Sequence, residues 1–462
     1  MKKTDRRTFL KTGLVAGAGL TLAPVLRPTI AWGKETEAAT VPAILGGSKA
    51  HTGDWPSWPE WKASEYEGKL LEVMRSGVWS RAGNTDAFEQ MWASMVGSKR
   101  CLTLVNGTSA LITALSQAGI GIGDEVITTP YTFVATVQAI LVNGAIPVFA
   151  DVDPQTFQID PDKIEKKITK RTKAILPVHI LGMPADMDRI MEIARKHDLV
   201  VIEDACQAHL AEYGGKRVGS IGFAGCFSFQ NSKNMPIGEG GAIVSDNDEF
   251  MDRCYSYHDF GHPYGSQAGS LAGALMVGCK LRFSEYQAAI GLMEIQQLEA
   301  NTDLRWDNGE YLDRKVSSIP GISAARLYPK TTKAVYHLFP LIYDSGEFCG
   351  MPRDIFLKSL QAEGVPCWSG YSPLHTQPFI KAAFESKLYK KVYSKSQLNY
   401  EAYIAKNACP ESDALCNEKA VWFQQNLLLT DHAAMDDIAR AIEKIHANAG
   451  SIMDKYKKGE IR

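Results

Sequence analysis

The residues with the clearest chemical potential stand in SFQNSKNMPIGEGG, residues 228–241, where Lys233 follows an apolar strand pattern and precedes a glycine-rich turn. A lysine amine forms an imine with a carbonyl cofactor only when it can shed its proton and is held beside the carbonyl. A polar turn just past a buried strand could do both. A lysine judged alone is most often a solvated surface residue, so the case depends on what accompanies it.

Four other groups could complete such a site. Asn106-Gly107-Thr108-Ser109 closes one apolar run and opens the helical pattern ALITALSQAG, which would set amides and hydroxyls at a helix N-terminus where an anion such as phosphate is favoured. The plainer reading is a helix cap by Thr108 or Ser109. Asp204 ends the run LVVIED, and a carboxylate there could keep a pyridine nitrogen protonated, although it could equally cap the next turn. Gln207 lies three residues on, within reach of a ring hydroxyl or ring face. Phe133 in PYTFVAT could stack on a flat cofactor or be a core residue. Ser228 could give a hydroxyl to phosphate or be an ordinary strand serine. Gly238, Gly240 and Gly241 would let the backbone turn sharply near the lysine. Phosphate turn, ring stacker, acidic strand end and lysine, in that order, point to pyridoxal phosphate.

Elements able to hold these groups are legible. From residue 101 to 204 short apolar runs alternate with helical patterns, which predicts βαβ units and a mostly parallel sheet covered on both faces. Ligands of such sheets gather at the strand carboxyl ends. Regularity weakens after Asp246, and a helical pattern from near Ser284 past Leu298 is expected to bridge to a smaller α+β unit. The predicted divisions are a leader over 1–33, a large cofactor-binding domain over 34–300 and a small domain over 301–462.

Composition bounds the rest. The chain has 462 residues, 45% apolar and 22% charged, with a formal charge of −2, which suits a globular protein with small-molecule partners and gives no basic face for nucleic acid. Nine cysteines without a CxxC pair or a Cys/His cluster indicate no metal site, although Cys409 and Cys416 are close enough in sequence to be considered as a pair. Asp5-Arg6-Arg7-Thr8-Phe9-Leu10-Lys11 precedes an apolar stretch shorter than the roughly 18 residues of a spanning helix. With Ala31 and Gly33 as a small-residue cleavage site, this resembles a twin-arginine export signal, so a periplasmic or secreted protein without a stable membrane span is expected. An uncleaved anchor is the alternative.

From about Trp55 onward the chain resembles the DegT/DnrJ/EryC1/StrS aminotransferases. The resemblance rests on NGTSAL, GDEVITTPYTFVAT, PVFADVDPQTFQID, PVHILGMPADMD, IEDACQAH, CFSFQNSK, GEGGAIVSD and RFSEYQAAIG, in the family's order. It implies the aspartate aminotransferase-like fold type I, an α/β fold, with pyridoxal 5'-phosphate as cofactor and a homodimer whose sites lie at the subunit interface. By that likeness Lys233 is the lysine bonded to the cofactor and the proton carrier, and Asp204 the partner of the ring nitrogen. Gly107, Thr108, Ser109 and Ser228 hold phosphate, Phe133 stacks on the ring and Gln207 lies on the cofactor beside Asp204. Transfer of nitrogen from glutamate or glutamine to a ketosugar or keto-cyclitol is the implied activity, and residues 420–429 are similar to members acting on cyclitol ketones.

Two departures from the family pattern stand out. Lys280 occupies a position usually held by an asparagine that reaches the neighbouring subunit's phosphate, and Phe223 replaces a common aspartate. Related dehydratases carry histidine at the Lys233 position, so the lysine favours amino transfer over water loss. The other alternative is an exported protein that binds cofactor or sugar without catalysis.

Overall fold

Runs too apolar to face water on either side become strands buried on both faces. The computed structural model describes residues 40–268 and 273–461; the expected leader over 1–33 lies outside them. The strands are β1 (Arg100–Leu104), β2 (Glu125–Thr128), β3 (Ile146–Phe149), β4 (Thr172–Ile175), β5 (Val200–Asp204), β6 (Glu212–Tyr213), β7 (Lys216–Arg217), β8 (Ala224–Ser228) and β9 (Gly241–Ser245). Among the described residues, seven of them form one sheet in the order β1-β9-β8-β5-β4-β2-β3. Pairs from β8 to β3 are parallel, and β9 runs against both its neighbours. The parallel strands therefore deliver their carboxyl ends, and the loops after them, to one edge.

Alternation along the strands assigns side chains to two layers. Val201 and Phe227 pack with Phe88, Trp92 and Ile190 on one face, whereas Ile202 and Cys226 pack with Leu111, Ile140 and Phe250 on the other. Phe223 meets Phe250 edge-on at 4.8 Å in the second layer, a packing role.

The bridging helix expected near Ser284 runs over Glu285–Val316, 32 residues, and is started by a capping box between Ser284 and Gln287. At 1.5 Å per residue it spans about 48 Å. Its first half, at Ile295 and Leu298, belongs to the core of the large sheet, and its second half, at Leu312 and Val316, to a separate core. That second core surrounds an antiparallel sheet of β10 (Ile322–Ala324), β12 (Leu338–Tyr343) and β13 (Ala420–Gln424), while β11 (Thr331–Lys333) pairs with β6.

Two segments cross between these bodies. Helices Pro378–Glu385, Lys387–Val392 and Tyr400–Lys406 pack Ile380, Tyr389 and Tyr403 on Leu141 and Phe149 beside β3. Residues 40–58 form a strap on the second core. Glu363, fully buried there, accepts hydrogen bonds from the amides of Ala43 and Ala50 and from Lys444 Nζ, each at 2.7 Å. Further along the strap, Trp55 Nε1 donates to Gly364 O and Asn426 Nδ2 donates to Pro56 O.

All nine cysteines are free thiols. Cys409 and Cys416 lie at either end of a helical stretch, Pro410–Ala414 and the turn after it, so their rise along the axis is about 10 Å. A disulfide needs Cα atoms within about 7 Å, and the considered pairing does not form.

Candidate active site

A cavity of about 340 Å³ opens at the carboxyl edge of the sheet. Gly107, Thr108, Phe133, Asp204, Gln207, Ser228 and Lys233 all line it, so seven of the nine residues singled out in the sequence meet there.

The helix Gly107–Gln117 starts at its floor. Its cap is Asn106, whose Oδ1 accepts from Ser109 N at 2.8 Å, and not Thr108 or Ser109. That bond consumes the Ser109 amide, and Ser109 does not line the cavity. The first-turn amides of Gly107 and Thr108 have no intrahelical acceptor, which leaves two donors at the positive end of the helix dipole. Glycine is required at 107 because a Cβ there would fall 2.7 Å from Ser228 Cβ and 3.0 Å from Cys206 Sγ. Gly241 has the same kind of reason: a Cβ on it would lie 2.3 Å from the Asn106 carbonyl carbon. The glycine turn after the lysine thus lets two backbones pass, while Gly238, at φ +86°, makes the bend.

Asp204 ends β5 and is buried. Its Oδ2 accepts from Thr136 Oγ1 at 2.7 Å and its Oδ1 from Cys206 N at 3.2 Å, so it caps the turn and faces the cavity at once. Thr136 Oγ1 is in turn 2.9 Å from Thr132 Oγ1. Glu203 points the other way, as strand alternation requires, and accepts from the amides of Gly219, Ile221 and Gly222. Gln207 is fixed at both ends of its amide: Oε1 accepts from Leu181 N at 2.9 Å and Nε2 donates to Tyr371 OH at 2.7 Å. Phe133 is 54% exposed at the mouth, an uncommon state for a large apolar ring that a flat ligand would cover.

Lys233 is 9% exposed, and its ammonium makes no hydrogen bond or ion pair among the described residues. Burial lowers its pKa from the ordinary lysine value, against the opposing pull of Cys206 and Asp204. Two histidines near it are neutral. His209 is pushed down to about 3 by burial and by Lys233, and its Nε2–H donates to Ser228 O at 2.8 Å. His337 lies on the cavity wall and is held well below the usual imidazole value by burial, then by Lys233, His209 and Arg305.

These residues fit pyridoxal phosphate. The glycine-lined helix start offers amide donors with Ser228 for a phosphate, the buried Asp204 carboxylate offers a charge for a ring nitrogen, and the unpartnered Lys233 amine offers a nucleophile for an aldehyde. Lys280 is the exception. It is exposed, with its ammonium 5.0 Å from the centre of the Phe260 ring, and forms no part of its own chain's cavity.

Thr136, Tyr371 and His337 were not anticipated. Thr136 had a signal, since it stands three residues beyond Phe133 in PYTFVAT, about one helical turn away. Tyr371 and His337 had none, because they come from the second body. His337 is delivered by a tight crossing in which Tyr336 has φ +43° and rests on Gly182, where a Cβ would meet His337 N at 2.6 Å.

Comparison with known proteins agrees with this geometry. A sequence profile described as the DegT/DnrJ/EryC1/StrS aminotransferase family matches residues 62–414. The chain is 32% identical over 425 residues to the L-glutamine:2-deoxy-scyllo-inosose aminotransferase of Streptoalloteichus tenebrarius, covering 89% of this chain and 98% of that one. It is also 32% identical over 429 residues to the L-glutamine:scyllo-inosose aminotransferase of Streptomyces griseus, with the same coverage of 89% and 98%. The solved aminotransferase from Psychrobacter cryohalolentis superposes with a TM-score of 0.75 at 30% identity, covering 86% of this chain and 100% of that one.

Proposed function

Because the chain belongs to the DegT/DnrJ/EryC1/StrS aminotransferase family and is a pyridoxal-phosphate-dependent aminotransferase, we propose that its amino donor is L-glutamine and its acceptor a keto-cyclitol. The names of the relatives from Streptoalloteichus tenebrarius and Streptomyces griseus support both choices. The observation that carries the catalytic reading is the buried amine of Lys233, without a hydrogen-bond or ion-pair partner among the described residues, in one cavity with Asp204.

Pyridoxal phosphate supplies, when bound, an aldehyde and an electron-withdrawing ring that stabilises negative charge on the carbon bearing the amine. The protein's part is placement and proton handling. Gly107 and Thr108 amides with Ser228 would hold the phosphate, Asp204 would keep the ring nitrogen protonated, and Phe133 would cover one ring face. Tyr371 through Gln207 would limit sliding of the ring. Lys233 would be the base placed to take the proton from the donor's α-carbon and return it. Burial favours the neutral amine this requires.

Spectroscopy of the purified protein tests this reading. The visible band of the cofactor-loaded enzyme is expected to bleach on adding L-glutamine and to return on adding scyllo-inosose. A band indifferent to every amino donor would instead support the binding-protein alternative, and loss of water from the sugar without nitrogen transfer would support a dehydratase.

We also infer that the protein is an exported homodimer. Trp79 and Tyr286, about half exposed, are brought together where Glu285 N donates to Trp79 O, and Phe260 adds further exposed apolar surface. A second copy is the occupant the family resemblance gives for such a surface, and Lys280 would then be offered to the neighbour's phosphate as a point charge. Export rests on the leader motif in the sequence. The size of the species in the periplasmic fraction and the medium checks both: twice the chain mass is expected, a monomer removes the dimer, and absence from both fractions removes export.

A further inference from the structure

Lys233 is pinned by its backbone as well as framed by its neighbours. Its N–H donates to Gln230 O at 2.8 Å, a bond within its own loop. Its C=O accepts from Trp58 Nε1 at 3.0 Å, and Trp58 belongs to the strap, 175 residues upstream. From outside its own loop, Trp58 holds the carbonyl of the lysine itself, while the next residue is tied by Asn234 Nδ2, which donates to Val335 O at 2.7 Å.

Trp58 is itself gripped. The Arg305 guanidinium carbon lies 5.1 Å from the centre of the indole ring. Arg305 is fully buried on the long helix, its Nε donates to Gln425 Oε1 at 2.7 Å, and its Nη1 and Nη2 have no hydrogen-bond partner among the described residues. Burial brings its pKa down to about 9, and Glu294 is the charge that opposes this. A desolvated guanidinium with two unused donors is attracted strongly to the negative face of an indole. Asn426 Nδ2, from the turn that also carries Gln425, holds the strap two residues before Trp58 by its bond to Pro56 O at 2.6 Å.

We propose that Trp58, clamped on Arg305, is a positioning residue that holds the Lys233 peptide so that the amine points into the cavity. It does not line the cavity and acts through Lys233. The inference rests on the role of Lys233 given above, but its first readout does not. Small displacements of a reacting group cost catalysis heavily, so loss of the pin should appear in turnover and not in binding.

The experiment compares the full-length protein with Trp58→Phe, which keeps a ring over Arg305 and removes the N–H. A second variant replaces Trp58 by benzothienylalanine, an isostere whose sulfur cannot donate, and so keeps the test open where the phenylalanine variant fails to fold. Amide hydrogen exchange of the cofactor-free protein is read first, and in both variants residues 230–237 are expected to exchange about tenfold faster with the rest of the chain unchanged. In the loaded enzyme kcat is expected to fall between tenfold and a hundredfold with KM for L-glutamine within about twofold. Unchanged exchange over 230–237 in the isostere overturns the proposal whatever the activity. Faster exchange with unchanged kcat overturns the positioning role, and an inactive parent enzyme with faster exchange in the variants supports the pin while refuting the catalytic reading.

Discussion

Lys233→Ala is expected to abolish turnover, by a factor on the order of 10⁴ or more, while leaving the melting temperature close to that of the parent. The loss combines a covalent role and a proton-transfer role, and proton transfer by a placed group alone is commonly worth about 10²–10⁴. The fold should persist because the side chain makes no hydrogen bond or ion pair among the described residues that truncation would break. Truncation also relieves the burial of an amine whose pKa is already lowered by desolvation. Initial rates with L-glutamine and a keto-cyclitol, beside thermal unfolding, measure the two effects separately. Retained turnover at even a tenth of the parent rate would remove Lys233 from the mechanism.

Asp204→Ala is expected to lower kcat/KM by about 10³, close to what removal of one well-placed electrostatic group costs in other enzymes. The carboxylate is buried and aimed by Thr136 Oγ1 and Cys206 N, so its charge sits where solvent screens it little. Asp204→Asn keeps a hydrogen-bonding side chain without the charge and should lose nearly as much, whereas Thr136→Val, which keeps the charge and loses one orienting bond, should lose about tenfold. Steady-state kinetics on the three variants sort charge from orientation. If asparagine supported parent-like rates, the charge of Asp204 would not be needed and its part would be reduced to capping the turn.

How much of this was legible in the sequence follows from what a strand end can announce. Gly107, Asp204 and Ser228 each stand at the end of an apolar run, and a parallel sheet converts that local fact into a shared location. Phe133, Gln207 and Lys233 lie within a few residues of such ends and came along. Ser109 did not, because Asn106 takes the cap and uses the Ser109 amide, a choice between neighbouring polar residues that propensity does not settle. Tyr371 could not have been found, since it meets Gln207 across 164 residues and depends on how a second sheet packs against the first. Trp58 was hidden for the same reason, its bond to Lys233 being a backbone contact that leaves no motif. Lys280 marks another boundary: it is exposed beside Phe260 and outside its own chain's cavity, so a single chain does not show what its ammonium meets.

The strap also sets an order of events during synthesis. Ala43 and Ala50 find their acceptor only at Glu363, 320 and 313 positions later, and Glu363 in turn binds Lys444, near the carboxyl terminus. The large sheet can collapse on shorter-range contacts well before those residues leave the ribosome. The earliest-made stretch of the described chain is therefore among the last to be seated, and with it Trp58. A half-synthesised chain already possesses Lys233, but the hand that steadies it closes only once synthesis is nearly over.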